Sequence, residues 1–228
     1  MQLGEPKLKS QINALEPFKF DIVSEVALPS VKTPDMRFVD VLEARTSSRH
    51  FSPLGPGKLS TFLYLSNRVK ATDCNELGQE VTYTNCGSPG ALNALFVLLR
   101  NPDNKQWYVY APIKHKLGLL KHSAQCSDYV ELMCLELLPD VSNAWIIWYV
   151  ADISLLSSKY ENPQPLAFRH SGGVSATHAL VAQALGLSYC QLGINGGEQA
   201  TALSNERQLF GVGLALLGNS PDNGLAIK

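Results

Sequence analysis

Two guanidinium groups and three hydroxyls fall within seven residues at Arg45-Thr46-Ser47-Ser48-Arg49-His50-Phe51. Arginine forks and hydroxyl donors suit phosphate oxygens, and Arg45 and Arg49 are spaced to grip one phosphate together. A phosphate monoester carries about −1.5 to −2 charges at neutral pH. Each hydrogen bond to a charged group is worth roughly 1.5–3 kcal/mol, so three or four contacts would anchor a nucleotide-like cofactor. The competing reading is a solvated helix end with scattered charges.

Other patterns for known chemistry are incomplete. Gly193-Ile194-Asn195-Gly196-Gly197 and Gly211-Val212-Gly213 do not complete G-x-G-x-x-G, and there is no Walker A or G-x-S-x-G sequence. His170 and His178 share a helix, two turns apart, without a carboxylate or third histidine between them, so no metal site is expected. The five cysteines (74, 86, 126, 134, 190) form no C-x-x-C and no disulfide framework, which suggests reduced thiols. Cys74 and Cys86 lie in polar stretches, where they would be exposed. Trp145 and Trp148 read as core.

The 228 residues, 45% hydrophobic and 17% charged, suit a globular protein with a large core. A net charge of −1 gives no electrostatic case for nucleic acid or anionic membrane. No apolar run reaches transmembrane length and the N-terminus lacks a signal-peptide pattern, so a cytoplasmic protein is expected.

The elements that must position these residues follow from pattern. Residues 1–34, with Pro6, Pro17, Pro29 and Pro34, read as an extended arm preceding a single domain, 35–228. Phe18, Phe20, Ile22 and Val26 would lay it against the body or a second subunit. Thr33-Pro34-Asp35 predicts a helix start, with Phe38, Val41 and Leu42 facing inward. A second helix is predicted over 58–69 and a polar loop over 70–87. Strands are predicted at 94–99, 107–110, 116–120, 144–151, 189–192 and 214–217. Helices are predicted at 127–138, 171–185 and 198–204. The small residues of the 171–185 helix fit a central helix or a subunit interface. Mixed elements without strict alternation indicate an α+β fold.

Several segments together resemble the flavin-dependent nitroreductase superfamily, and most closely its SagB-type branch, which includes azoline oxidases. Arg45-x-Ser47-x-Arg49-x-Phe51 matches the opening R-x-S-x-[RK]-x-[FY] signature. Ser88-Pro89-Gly90-Ala91-Leu92 resembles the P-S-A-G-A-L segment. Trp107 to Pro112 with His115-Lys116-Leu117 is similar to the branch's hairpin. Lys159-Tyr160 falls where the branch carries a K-Y pair, and Ala184 to Gly193 resembles A-L-G-L-G-x-C-x-I-G. The match spans roughly residues 35–218.

The resemblance implies a nitroreductase-like α+β fold, a central mixed or antiparallel sheet flanked by helices, and a homodimer with FMN at its interface. Arg45, Ser47 and Arg49 would hold phosphate and ribityl oxygens. Ser88 and Gly90 would approach the cofactor, from the same or the other subunit. Leu192, Gly193 and Ile194 would line the isoalloxazine, with backbone amides facing N1 and O2. Lys159 would act as base and Tyr160 as hydrogen-bond donor or steering group in oxidising an azoline ring of a small molecule or peptide, delivered in the peptide case by a partner protein. The alternatives are a generic NAD(P)H-dependent nitroreductase or flavin reductase, and a flavin-less docking subunit of a biosynthetic complex. The last is motivated by Gly173, Ala176 and Thr177, which stand where the family often has histidine and a glutamine-asparagine pair. A C-terminal basic residue common in the family is also missing, and Arg207 would have to replace it.

Overall fold

The computed structural model describes residues 4–76, 78–121, 124–138 and 141–221. The strand predicted around the apolar run 144–151 is the spine of the molecule. Numbered within the whole chain it is β8 (Trp145–Asp152), and all eight of its residues are buried. Its side chains alternate between two cores. Ile147, Tyr149 and Ala151 face one; Ile146, Trp148 and Val150 face the other. Fully burying one such aliphatic side chain is worth roughly 1.5–3 kcal/mol, which explains why a strand apolar on both faces takes an interior position.

Eleven strands form around it: β1 (Lys7–Leu8), β2 (Ile22–Ala27), β3 (Val69–Cys74), β4 (Glu80–Thr84), β5 (Leu95–Arg100), β6 (Trp107–Ala111), β7 (Lys116–Leu120), β8, β9 (Tyr160–Glu161), β10 (Leu187–Leu192) and β11 (Leu209–Asn219). Seven of them make the main sheet in the order β10-β11-β8-β5-β6-β7-β2, with every neighbouring pair antiparallel. The helices are α1 (Phe38–Ala44), α2 (Pro56–Asn67), α3 (Ala124–Leu137), α4 (Ile153–Ser157) and α5 (Gln164–Ala184). Leu59, Phe62 and Leu63 of α2 share a core with Ala167, Val174 and Ala182 of α5 on one face of the sheet, and Val130 and Cys134 of α3 pack on the other. The result is the expected α+β architecture. No helix among the described residues is long and apolar enough to cross a membrane.

Three sequence expectations are corrected. Residues 69–84 are not a loop but the β3–β4 hairpin. Its β-branched residues, Val69, Thr72, Val81, Thr82 and Thr84, favour extended backbone even where the outward face is polar. Gly78, at φ +72°, closes its turn by donating its N–H to the Asn75 carbonyl. α1 begins at Phe38 rather than beside Thr33, and Arg37 supplies no side-chain cap. Only Val41 of α1 is buried, while Phe38 (65% exposed), Val39 (56%) and Leu42 (45%) present an apolar surface to solvent. α5 starts seven residues before the predicted Ser171, because Pro163 and Pro165 lie at its cap and first turn, where a missing N–H costs nothing.

The first residues are sewn into the body. β2 is an outer strand of the main sheet, and Phe18 and Phe20 stack edge-on around Phe96. β1 pairs with β9, and Lys9 donates its N–H to the Lys159 carbonyl at 3.0 Å.

Beneath α5 runs a buried chain of polar groups. Asn67 donates its amide to Ser66 and to the Leu63 carbonyl, so its Oδ1 faces His178 Nε2 at 3.0 Å. His178 Nε2 is therefore the protonated nitrogen, and Nδ1 accepts from the Tyr149 hydroxyl at 2.7 Å. Tyr149 in turn accepts from Tyr189 at 2.9 Å, and Tyr189 from Ser175 at 2.7 Å. Burial keeps every member neutral: His178 is lowered to about 3, Tyr189 is pushed up to about 12, and Tyr149 is raised.

The pH dependence has a definite sign. Below the ordinary histidine value of 6.5, the unfolded chain takes up protons that native His178 and His170 (lowered to about 4 by burial) refuse. Stability therefore falls as pH drops from 6.5 towards 4, by roughly one kcal/mol per pH unit for each histidine. Urea midpoints measured across that range should show the fall. His178→Leu should reduce the slope by about half, leaving the His170 contribution, and should cost about 2–4 kcal/mol at pH 7 by leaving Tyr149 and Asn67 without partners.

Candidate functional site

The Arg45–Phe51 segment leaves α1 in extended form along the outer edge of β10. Ser48 donates its N–H to the Tyr189 carbonyl at 3.1 Å and accepts from the Ser188 hydroxyl at 3.1 Å. Ser52 pairs with Asn219 at the end of β11. Gly218 has no side chain to displace Phe51, whose Cβ lies 2.9 Å from where a methyl would stand. The backbone is thus pinned while Arg45, Ser47 and Arg49 are exposed and make no hydrogen bond or ion pair with any described residue. Lys58 reaches the same corner, donating to Asn219 Oδ1 at 2.8 Å. Arg207 does not replace it: it lies at the opposite end of β11, bound to Asp152 (3.3 Å) and to the Glu16 carbonyl (2.7 Å). Asp152, fully buried, caps α4 through the Leu155 N–H and is held by this partner.

A second group gathers where β8 ends and β5 begins. Asp152 donates its N–H to the Ala94 carbonyl there at 2.8 Å, and α4 then delivers Lys159 and Tyr160. The Ser88–Leu92 turn lies against them. Gly90 (φ +60°), Ala91 (φ +57°) and Asn93 (φ +47°) are left-handed, an arrangement that costs each non-glycine about 1 kcal/mol or more. A methyl at Gly90 would stand 2.8 Å from the Tyr160 hydroxyl and 2.9 Å from Lys159 Nζ. Together with Leu166, Arg169 and His170 of α5, the turn and Tyr160 enclose a cavity of about 340 Å³. Burial raises the Tyr160 phenol above its ordinary value against the opposing charge of Arg169, so the phenol keeps its proton at neutral pH.

Leu192 closes β10 three residues beyond Tyr189, whose carbonyl holds Ser48, and Gly193 and Ile194 follow it. Leu192 and Ile194 pack on the core while Gly193 is exposed. The glycines that failed as a nucleotide motif pack on each other instead. Gly211, lacking Cβ, lets the Asn195 and Gly196 carbonyls approach, and donates its N–H to the Gly197 carbonyl at 3.0 Å. Trp148 Nε1 donates to the Asn195 carbonyl at 3.3 Å.

The structure therefore brings Ser88, Gly90, Lys159 and Tyr160 together. Leu192–Ile194 and the Arg45–Phe51 segment both lie at the β10 margin of the sheet. Lys58, Arg169 and the cavity-lining position of His170 were not anticipated from sequence. Leu166, Arg169 and His170 have i, i+3, i+4 spacing, but that signal needs the true start of α5.

This arrangement of strands and helices recurs in solved structures. A candidate nitroreductase of Ralstonia eutropha JMP134 aligns over 95% of this chain and 99% of its own, with TM-score 0.64 and 18% identity. A candidate nitroreductase of Desulfovibrio desulfuricans, in complex with FMN, aligns over 85% and 92%, with TM-score 0.53 and 15% identity. The chain has the nitroreductase-like fold. A chain of the E. coli microcin synthetase McbBCD complex, with truncated pro-MccB17 bound, aligns over 86% and 76%, with TM-score 0.55 and 16% identity. No family model matches the sequence, and no curated protein matches it.

Gly90→Ala is expected to lower stability by about 1–2 kcal/mol, since the methyl meets two side chains in a left-handed backbone. Chemical denaturation of the purified variant measures it; an unchanged midpoint would show that the turn is free to relax.

Proposed function

We propose that the protein is an FMN-dependent oxidoreductase of the nitroreductase superfamily, resembling SagB-type dehydrogenases, that oxidises azoline rings or a related natural-product or peptide substrate. The observation that carries this reading is the convergence of the Ser88–Gly90 turn with Lys159 and Tyr160, far apart in sequence, beside a cavity that the turn and Tyr160 line. The fold neighbours add support: one is crystallised with FMN, another belongs to a microcin synthetase complex.

The residues present fit FMN. Arg45, Ser47 and Arg49 are exposed donors on a pinned backbone with no competing partner among the described residues, and Gly90 keeps open a space that a side chain would fill. Arg45, Ser47 and Arg49 hold the phosphate and ribityl oxygens, and Lys58 adds a further positive charge. Leu192, Gly193 and Ile194 line the isoalloxazine, and Ser88 and Gly90 approach it. The exposed apolar face of α1, Phe38, Val39 and Leu42, supports a homodimer in which one subunit completes the other's site.

When bound, FMN supplies the hydride acceptor. Lys159 Nζ takes the proton from one ring carbon as the adjacent carbon gives up hydride, and the new double bond makes the azoline an azole. The Tyr160 hydroxyl, held protonated by burial, donates a hydrogen bond that orients the ring or the lysine. A cytoplasmic location and delivery of a peptide substrate by another protein go with this reading. The second reading, a generic NAD(P)H-dependent nitroreductase, is favoured by the near-complete two-way coverage with the Ralstonia protein.

Two experiments decide. Arg45→Ala combined with Arg49→Ala should yield protein with wild-type circular dichroism and no flavin absorbance; full FMN retention refutes the phosphate assignment. Lys159→Ala should keep its flavin and lose about 10²–10⁴-fold in azoline oxidation, followed as oxygen-dependent azole formation. Turnover that instead requires NAD(P)H and reduces nitroaromatics selects the second reading.

A further inference from the structure

Three features of the cavity beside Lys159 and Tyr160 are not used by proton and hydride transfer. Arg169 lines it, is exposed, and forms no ion pair or hydrogen bond with any described residue. His170 is only 5% exposed, lines the same space, and likewise has no hydrogen-bond partner among the described residues. Ser88 Oγ accepts from the Asn93 N–H at 3.3 Å, which leaves its own hydroxyl proton free to donate. No acidic side chain lines the cavity. Its contents are therefore a cation, a phenol, a hydroxyl and a neutral imidazole, a set dominated by donors and complementary to an oxyanion.

We infer that this cavity recognises a carboxylate on the substrate, gripped by Arg169 with His170 and Ser88 completing its hydrogen bonds, so that the protein selects heterocycles bearing a free carboxylate beside the ring carbon that is oxidised. The inference rests on the oxidoreductase reading for the ring it orients, though not for the anion site itself. A planar guanidinium fork matches the two oxygens of a carboxylate bidentately, and competition with inorganic phosphate separates the two anions. The cavity, about 340 Å³ and open to solvent, has room for a five-membered heterocycle with one carboxylate. Burial lowers His170 to about 4, so at neutral pH it offers one N–H donor and adds no second full charge. A peptide substrate would enter by its C-terminal heterocycle.

The test uses thiazole-4-carboxylate as the probe, titrated into the full-length protein by calorimetry, before and after saturation with FMN. Binding is expected to be at least tenfold tighter than that of thiazole-4-carboxamide. Arg169→Gln, a surface change on a long helix, should weaken the acid about tenfold and leave the amide unchanged, and Arg169→Lys should recover only part of the loss. The His170 imidazole resonance, assigned by its disappearance in His170→Asn, should shift on addition of the acid and not of the amide. Equal affinity for acid and amide, no binding of the acid, or an unaltered affinity in Arg169→Gln overturns the inference. Inorganic phosphate competing as tightly as the carboxylate at the same residues overturns it too, by making the site a phosphate site. A protein that takes up no FMN yet still binds the acid through Arg169 sinks the oxidoreductase reading and leaves this one standing.

Discussion

The fold is organised around one uninterrupted line of hydrogen bonds, from Asn67 through His178, Tyr149 and Tyr189 to Ser175. It crosses the core and ties α2, β8, β10 and α5 at single defined positions. Apolar packing alone would hold these elements together without fixing their register, because hydrophobic attraction has no direction. A buried polar chain permits only the arrangement in which every member is paired. Its energetic worth lies less in what each bond adds than in what an unpaired member would cost. Tyr189 is the decisive link: its side chain closes the buried line while its carbonyl holds Ser48 on the outside of the sheet. The placement of the Arg45 corner thus follows from the core.

From that frame the two ends of the sheet acquire different characters. One end gathers the strained Ser88–Leu92 turn, the Lys159–Tyr160 pair and the glycine-cushioned loop after β10. Three chain segments converge there because β5 begins, β8 ends and β11 begins on the same side. The other end has the Ser52–Asn219 bridge and Lys58 bound to Asn219. The early chain steadies the first group from behind, since β1 pairs with the Tyr160 strand and Lys9 binds the Lys159 carbonyl.

Much of this was readable from residue types. The 144–151 run announced a doubly buried strand because nothing polar interrupts it, and 116–120 matches β7 residue for residue. The hairpin at 69–84 leaves no apolar period to detect, because β3 is exposed along almost its whole length and β4 buries only Val81 and Thr82. The onset of α5 was hidden because proline signals a break and a first turn alike. The candidate site residues were reached by motif order; their grouping was not, since which turn lies against which side chain depends on sheet order. His170 shows the limit plainly. Sequence spacing pairs it with His178 on one helix, yet the structure puts one in a cavity and the other in a sealed hydrogen-bonded line.

The position of Ser48 on β10 has a further consequence. β10 is a terminal strand of the sheet, and a bare terminal strand offers its backbone to any other extended chain. By donating the Ser48 N–H to the Tyr189 carbonyl, the segment that carries Arg45 and Arg49 lies over part of that margin and keeps it from recruiting strands of neighbouring molecules. The same seven residues that offer positive charge to a ligand thereby guard the protein against self-association, and a lesion that loosened them would surface as insolubility before it surfaced as lost chemistry.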